Sequence, residues 1–149
     1  NNKTYIIAEI GINHEGSFSC AKKLIKKAAE SGADAVKFQI FKPETLASKM
    51  SKKTNDQKKR IKKKEDLFQM WKRMEFTLSQ WKKLKTLSRK LKLDFISSIF
   101  DEESLKLSKK INLTAYKVAS SDLTDVKLLK DLSLQKKKYN YFNRNGIIK

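Results

Sequence analysis

The chain has 149 residues, 39% of them apolar, which allows a buried core and argues against a compositionally disordered segment. No apolar run reaches the ~20 residues of a membrane span, and the first short apolar run, which ends at Glu9, is not expected to be a leader. The net charge of +19 invites a nucleic-acid reading, but it is carried by 31 Lys and only 4 Arg, and Arg is the residue with bidentate and stacking geometry for bases.

Tyr5 to Ile10 is a β-branched run closed by the turn residues Gly11 and Asn13, so it is predicted as a strand. Ser17 can cap the helix that follows, in which Ala21, Leu24, Ile25, Ala28 and Ala29 recur at helical spacing up to Gly32. Cys20 lies in that helix. As a lone cysteine it excludes an internal disulfide and suits a cytoplasmic protein, with a small buried side chain as its expected role. Ala33 to Ile40 is the second strand, and strand, helix and strand at this spacing make a right-handed βαβ unit.

Residues 41–64 are polar and weakly patterned, and the Lys52–Lys64 stretch has no aromatic residue for base stacking. It is expected to be a solvated Lys-rich insertion. Leu67, Met70, Trp71 and Met74 then form one apolar stripe. After the cap candidate Thr77, a second runs through Trp81, Leu84, Leu87, Leu91 and Leu93. Asp94 to Ser98 is predicted as strand three, Glu102 to Lys110 as a short helix with Leu105 inward, Ala115 to Ser120 as strand four, and Leu123 to Leu132 as the start of a fourth helix. Four strands alternating with helices define a parallel α/β architecture. Neither a dinucleotide fingerprint nor a phosphate-binding P-loop is present.

Polar residues gather at the predicted strand ends: Glu9, then Lys37 and Gln39, then Ser97 and Ser98, then Lys117, Ser120 and Asp122. In a βα barrel the C-terminal strand ends converge on one site. Lys37 and Lys117 sit inside otherwise apolar strands, where a buried ammonium needs an anion or a carboxylate. With the nearby hydroxyls they suit a small substrate bearing phosphate or carboxylate, while Glu9 and Asp122 can orient or deprotonate hydroxyls and water. Buried structural ion pairs are the competing reading.

Four segments carry a family resemblance: Ala8 to Gly16, Gly32 to Gln39, Phe95 to Asp101 and Tyr116 to Leu123. In this order and spacing they resemble the N-acetylneuraminate (sialic acid) synthases and their pseudaminate and legionaminate relatives. The resemblance implies the N-terminal half, about four βα units, of a (β/α)₈ TIM barrel over residues 1–135. It also implies condensation of phosphoenolpyruvate with N-acetylmannosamine or a related N-acetylated amino sugar. In the reaction so implied, carbon 3 of phosphoenolpyruvate would attack the aldehyde of the open-chain sugar, polarised by a divalent metal, water would add to carbon 2, and phosphate would leave by C–O cleavage.

On this resemblance Lys37, Lys117, Ser98 and Ser120 bind phosphoenolpyruvate, and Glu9, Gln39 and Asp122 are catalytic. The full-length form is expected to be a homodimer using a divalent metal, Mn or Mg, with no ligand in this chain; His14 is not assigned to it. Nucleic-acid and membrane partners are not expected. Two departures from the family pattern stand out: Ile99 where the third-strand motif usually has Pro, and Asp122 where many members have Glu.

After Leu132 the resemblance calls for a fifth apolar strand leading to Ser-Thr-Gly-Met, which residues 136–149 do not supply. With suitable synonymous codons, reading from the last two bases of the Lys138 codon yields Asn-Ile-Ile-Ile-Ser-Thr-Gly-Met-Ala-Ser. Residues 136–149 are therefore expected to be a frameshifted, non-native tail, and the chain as given to be inactive alone.

Overall fold

The computed structural model describes residues 4–49, 65–135, 138–143 and 146–148. The Lys52–Lys64 stretch expected to be a solvated insertion lies outside them. The elements are β1 (Ile7–Gly11), α1 (Phe18–Glu30), β2 (Ala35–Ile40), α2 (Pro43–Lys49), α3 (Leu67–Met74), α4 (Leu78–Lys90), β3 (Asp94–Ile99), α5 (Glu102–Ile111), β4 (Ala115–Val118), α6 (Val126–Ser133), β5 (Lys138–Asn143) and β6 (Gly146–Ile148). One sheet orders the strands β1-β2-β3-β4-β5-β6. Every neighbouring pair is parallel except β5–β6, which is antiparallel.

Strand alternation gives the sheet two different faces. Ala8, Ile10, Val36, Phe38, Ile40, Phe95, Ile99, Tyr116 and Val118 face the main core, with Ile25 of α1, Leu84 of α4, Leu105 of α5 and Leu128 of α6. Trp81 packs edge-on to Phe38 at 5.6 Å and to Phe76 at 5.2 Å, fastening α4 to the middle of the sheet. Burying an aromatic or aliphatic side chain of this size contributes about 1.5–3 kcal/mol, so this face holds the fold together. The opposite face begins at the bottom with a small apolar layer of Ile7, Ala35, Ile96 and Ala115. Above that layer it turns polar.

The helices start where their side chains satisfy the free N–H groups of the first turn. Ser17 accepts from the Cys20 N–H, and reciprocal capping boxes join Asp66 with Gln69, Thr77 with Gln80 and Asp101 with Ser104. Gly32, at φ +78°, ends the turn after α1 in a conformation that costs a side-chain-bearing residue. Cys20 is half-buried within α1 rather than enclosed.

The structure departs from the sequence reading in several places. Strand one is displaced to Ile7–Gly11, because Tyr5 and Ile6 are exposed and the ladder with β2 opens at Ile7↔Ala35. A helix, α2, occupies Pro43–Lys49, where only polar loop was expected. Its Pro sits at the first helical position, where a missing N–H costs nothing. Strand four stops at Val118, and a 3₁₀ turn over Ser120–Asp122 delays the last helix to Val126. Strand three runs on through Ile99, which pairs with Ile40. The residue that replaces Pro there keeps an N–H and joins the ladder. β5 and β6 lie in the segment for which no strand was predicted.

Candidate active site

The polar upper part of the inner face is built by register. Glu9 lies beside Lys37, Gln39 beside Ser98, and Ser98 beside Lys117. Because Lys37 and Gln39 are two residues apart on one strand, they share this face. So do Ile96 and Ser98, and Ala115 and Lys117. Each strand thus contributes a small apolar residue below and a functional residue above.

Lys37 is 7% exposed and its ammonium is ion-paired with the Glu9 carboxylate. The pair is asymmetric: the Glu9 side chain is about half exposed while that of Lys37 is almost wholly enclosed. Burial lowers the pKa of the Lys117 ammonium below the ordinary lysine value and the neighbouring Lys37 charge lowers it further, with Glu9 and Asp122 acting in the opposite sense. Lys117 is therefore within electrostatic reach of all three, and two cations stand close to two carboxylates. Asp122, on the 3₁₀ turn after β4, is buried and accepts from the Ser121 hydroxyl at 3.4 Å. Ser98 is buried at the lysine level, whereas Ser120 lies exposed on the turn beyond it.

One expected hydroxyl does not join them. Ser97 points to the other face, where its Oγ donates to the Phe38 carbonyl at 3.1 Å. It is adjacent in sequence to Ser98, and in a strand adjacent residues face opposite ways.

β1 ends in a feature that the sequence reading overlooked. Its ladder slips between Glu9 and Gly11, so Gly11 pairs with Phe38 directly after Glu9 pairs with Lys37. A bulge of this kind re-aims the side chains beside it. Gly11 has φ +53°, and a Cβ there would lie 3.2 Å from Glu9 Oε1 and 3.7 Å from Gln39 Nε2. The absence of a side chain keeps open the space between that carboxylate and that amide.

His14 is buried in the loop after β1. Its Nδ1 accepts from the Gly16 N–H at 3.1 Å, and its ring stacks on Phe76 at 4.4 Å. That hydrogen bond occupies Nδ1 and places the neutral ring's proton on Nε2. Among the described residues no group of three or more His, Cys, Asp or Glu side chains is arranged to hold a metal ion. The described residues therefore assemble no divalent-metal site by themselves.

Such a face defines a class: an α/β chain of barrel type, in which successive parallel strands deliver a cationic, carboxylate-trimmed site to one end. The comparisons with known proteins agree. The chain matches the model of the NeuB family over residues 24–139, and it belongs to that family. It is 40% identical to N,N'-diacetyllegionaminic acid synthase of Campylobacter jejuni over 91% of this chain and 41% of that protein. Against the synthase of the same name from Legionella pneumophila it is 36% identical, over 89% and 37%. The crystal structure of N-acetylneuraminic acid synthetase from Leptospira borgpetersenii superposes with a TM-score of 0.77 at 28% identity, covering 94% of this chain and 44% of that one. The fold is that of the first part of a (β/α)₈ barrel. The chain spans about two fifths of the length of the curated relatives it matches.

Proposed function

We propose that this chain supplies the phosphoenolpyruvate-binding half of a cytoplasmic nonulosonic acid synthase. The observation that carries the proposal is the pairing of two lysines, Lys37 and Lys117, on adjacent levels of one buried, polar strand-end face. A small polyanion meets both charges there with the Ser98 hydroxyl between their strands. Phosphoenolpyruvate carries a phosphate and a carboxylate, and its binding would offset the repulsion between the two ammonium groups. Ser120 stands at the rim, where it can close on a phosphate oxygen.

Glu9 is held by Lys37 yet half exposed, so one of its oxygens can face substrate. Its roles in this reading are to orient the sugar and to accept a proton from the water that adds at carbon 2. Gln39, across the gap over Gly11, donates to the sugar or to the reacting oxygen. Asp122 balances Lys117 as phosphate departs. The first two relatives act in legionaminic acid synthesis by name, which favours a diacetylated amino sugar of that kind over N-acetylmannosamine. The whole enzyme would work as a homodimer, with the rest of the barrel completing the sugar site and any metal site.

Calorimetric titration of the chain with phosphoenolpyruvate tests the anion site. Saturable binding is expected, weakened at least tenfold, about 1.4 kcal/mol or more, by Lys37→Ala or Lys117→Ala. Binding that survives both substitutions unchanged would remove the basis of the proposal.

A further inference from the structure

The loop between β1 and α1 is held by a helix distant in sequence. Gly16, at φ +77°, packs so tightly on the last turn of α3 that a Cβ would lie 2.2 Å from the Arg73 carbonyl oxygen. Arg73 Nη1 donates to the Glu15 carbonyl at 3.1 Å and reaches the Glu15 carboxylate at 3.5 Å. The rest of the guanidinium grips Glu65 in a two-point contact at 2.9 and 3.1 Å. The Arg73 side chain is 20% exposed and that of Glu65 12%, so the two-point contact is shielded from much of the solvent, while the Glu15 contacts lie at the surface. Glu15 itself takes φ +52°, a left-handed conformation that a side-chain-bearing residue holds only when its surroundings impose it.

This loop leads directly back to the bulge. Asn13 N–H closes a turn onto the Ile10 carbonyl, and Glu15 N–H one onto Ile12. Ile12 packs in the apolar cluster of Phe41, Leu46, Met70, Trp71 and Met74, which α2 and α3 form above the strand ends. The bulge between Glu9 and Gly11 thus has a rigid far wall, and α3 supplies it. Resting on the reading of the site given above, we propose that Arg73 is a positioning residue: it locks the first βα loop to α3, fixes the bulge, and so holds the Glu9 carboxylate against Lys37. Arg73 touches no substrate in this scheme. Lysine replaces it only in part, because a single nitrogen lacks the planar fork that meets both Glu65 oxygens while a separate N–H reaches the Glu15 carbonyl.

The test needs no ligand at first. Brief acetylation of the folded chain, with the reacted sites mapped by mass spectrometry, reports how well Glu9 covers Lys37. Arg73→Ala is expected to raise the Lys37 rate about tenfold, on the scale that a displaced supporting group costs. Arg73→Lys is expected to fall between it and the parent, and it carries the comparison should Arg73→Ala fail to fold. Ile111→Val, which trims a buried core side chain at the C-terminal end of α5, controls for general loosening and should leave the Lys37 rate unchanged. Equal Lys37 rates in the parent and both Arg73 variants, or an equal rise in Ile111→Val, would overturn the proposal. Phosphoenolpyruvate titration of the same proteins separates the two readings. Weaker binding in the Arg73 variants supports both. A parent that binds no phosphoenolpyruvate, while Lys37 still becomes reactive in the variants, overturns the substrate and upholds the positioning role.

Discussion

Lys117 shows how one side chain couples charge, burial and ligand. Its pKa is lowered from the ordinary 10.5 by burial first and by the Lys37 charge second. In the free chain the unfolded state then binds more protons than the folded one between the lowered value and 10.5. Lys117 consequently detracts from stability below that window and ceases to do so as pH rises through it. Bound phosphoenolpyruvate, close to a trianion above neutral pH, reverses the balance by favouring the ammonium. Phosphoenolpyruvate affinity should accordingly fall as pH rises through the lowered Lys117 value, before ordinary surface lysines titrate. Titrations from neutral pH to about pH 11 would show this limb. It should disappear in Lys117→Gln, whose residual binding is flat until the ordinary lysine range. A limb unchanged by that substitution would assign the titration elsewhere. Lys37 and Lys117 stood out in the sequence because lysine inside an apolar strand is costly. Arg73 did not, since it sits on the edge of an amphipathic helix, and its one signal was being among only 4 Arg in a Lys-dominated chain.

At the level of elements, caps and stripes were legible and joints were not. Thr77 and the apolar positions of α3 and α4 followed from spacing alone, because helical period and capping chemistry are local. The bulge after Glu9, and the choice of Ser98 rather than Ser97 for the site face, depend on strand register, which only the assembled sheet defines, while α2 is a short helix without a clear apolar stripe in its sequence. Two caps illustrate the difference between local and tertiary roles. Thr77 caps α4 at an exposed position, whereas Asp101 is buried, caps α5 through the Ser104 N–H at 2.6 Å and also meets the Lys42 N–H at 3.4 Å. Thr77→Ala should cost about 1 kcal/mol. Asp101→Ala should cost more, about 2–3 kcal/mol, since it also leaves buried N–H groups without an acceptor. Urea unfolding of the three proteins measures both losses, and equal costs would show that the Lys42 contact adds nothing.

On the scale of the molecule, β1 to β4 present one half of a barrel wall. The main core lies on the helix side and the candidate site on the inner side. That half was legible because each βα unit repeats the same local pattern, while closure depends on strands that pair with the far edges. The family match stops at residue 139, close to the Lys136–Lys138 run where the apolar fifth strand of the resemblance gives way to Tyr-Asn-Tyr-Phe-Asn. We propose that the reading frame changes within that run. Deleting one A from three AAA codons would convert the following codons to Asn-Ile-Ile-Ile-Ser-Thr-Gly-Met, given the codons TAT, AAT, TAT, TTC, AAC, AGG, AAT, GGC for Tyr139 to Gly146. The nucleotide sequence decides this directly, since codons that cannot be read so in the second frame rule the change out. Function offers an independent check. The 149-residue chain should release no phosphate from phosphoenolpyruvate with either N-acetylmannosamine or a diacetylated amino sugar. The protein translated after the one-base deletion should do so, because the remaining strands would close the site that Lys37 and Lys117 begin. Phosphate release by the parent chain would mean instead that the strands described here suffice.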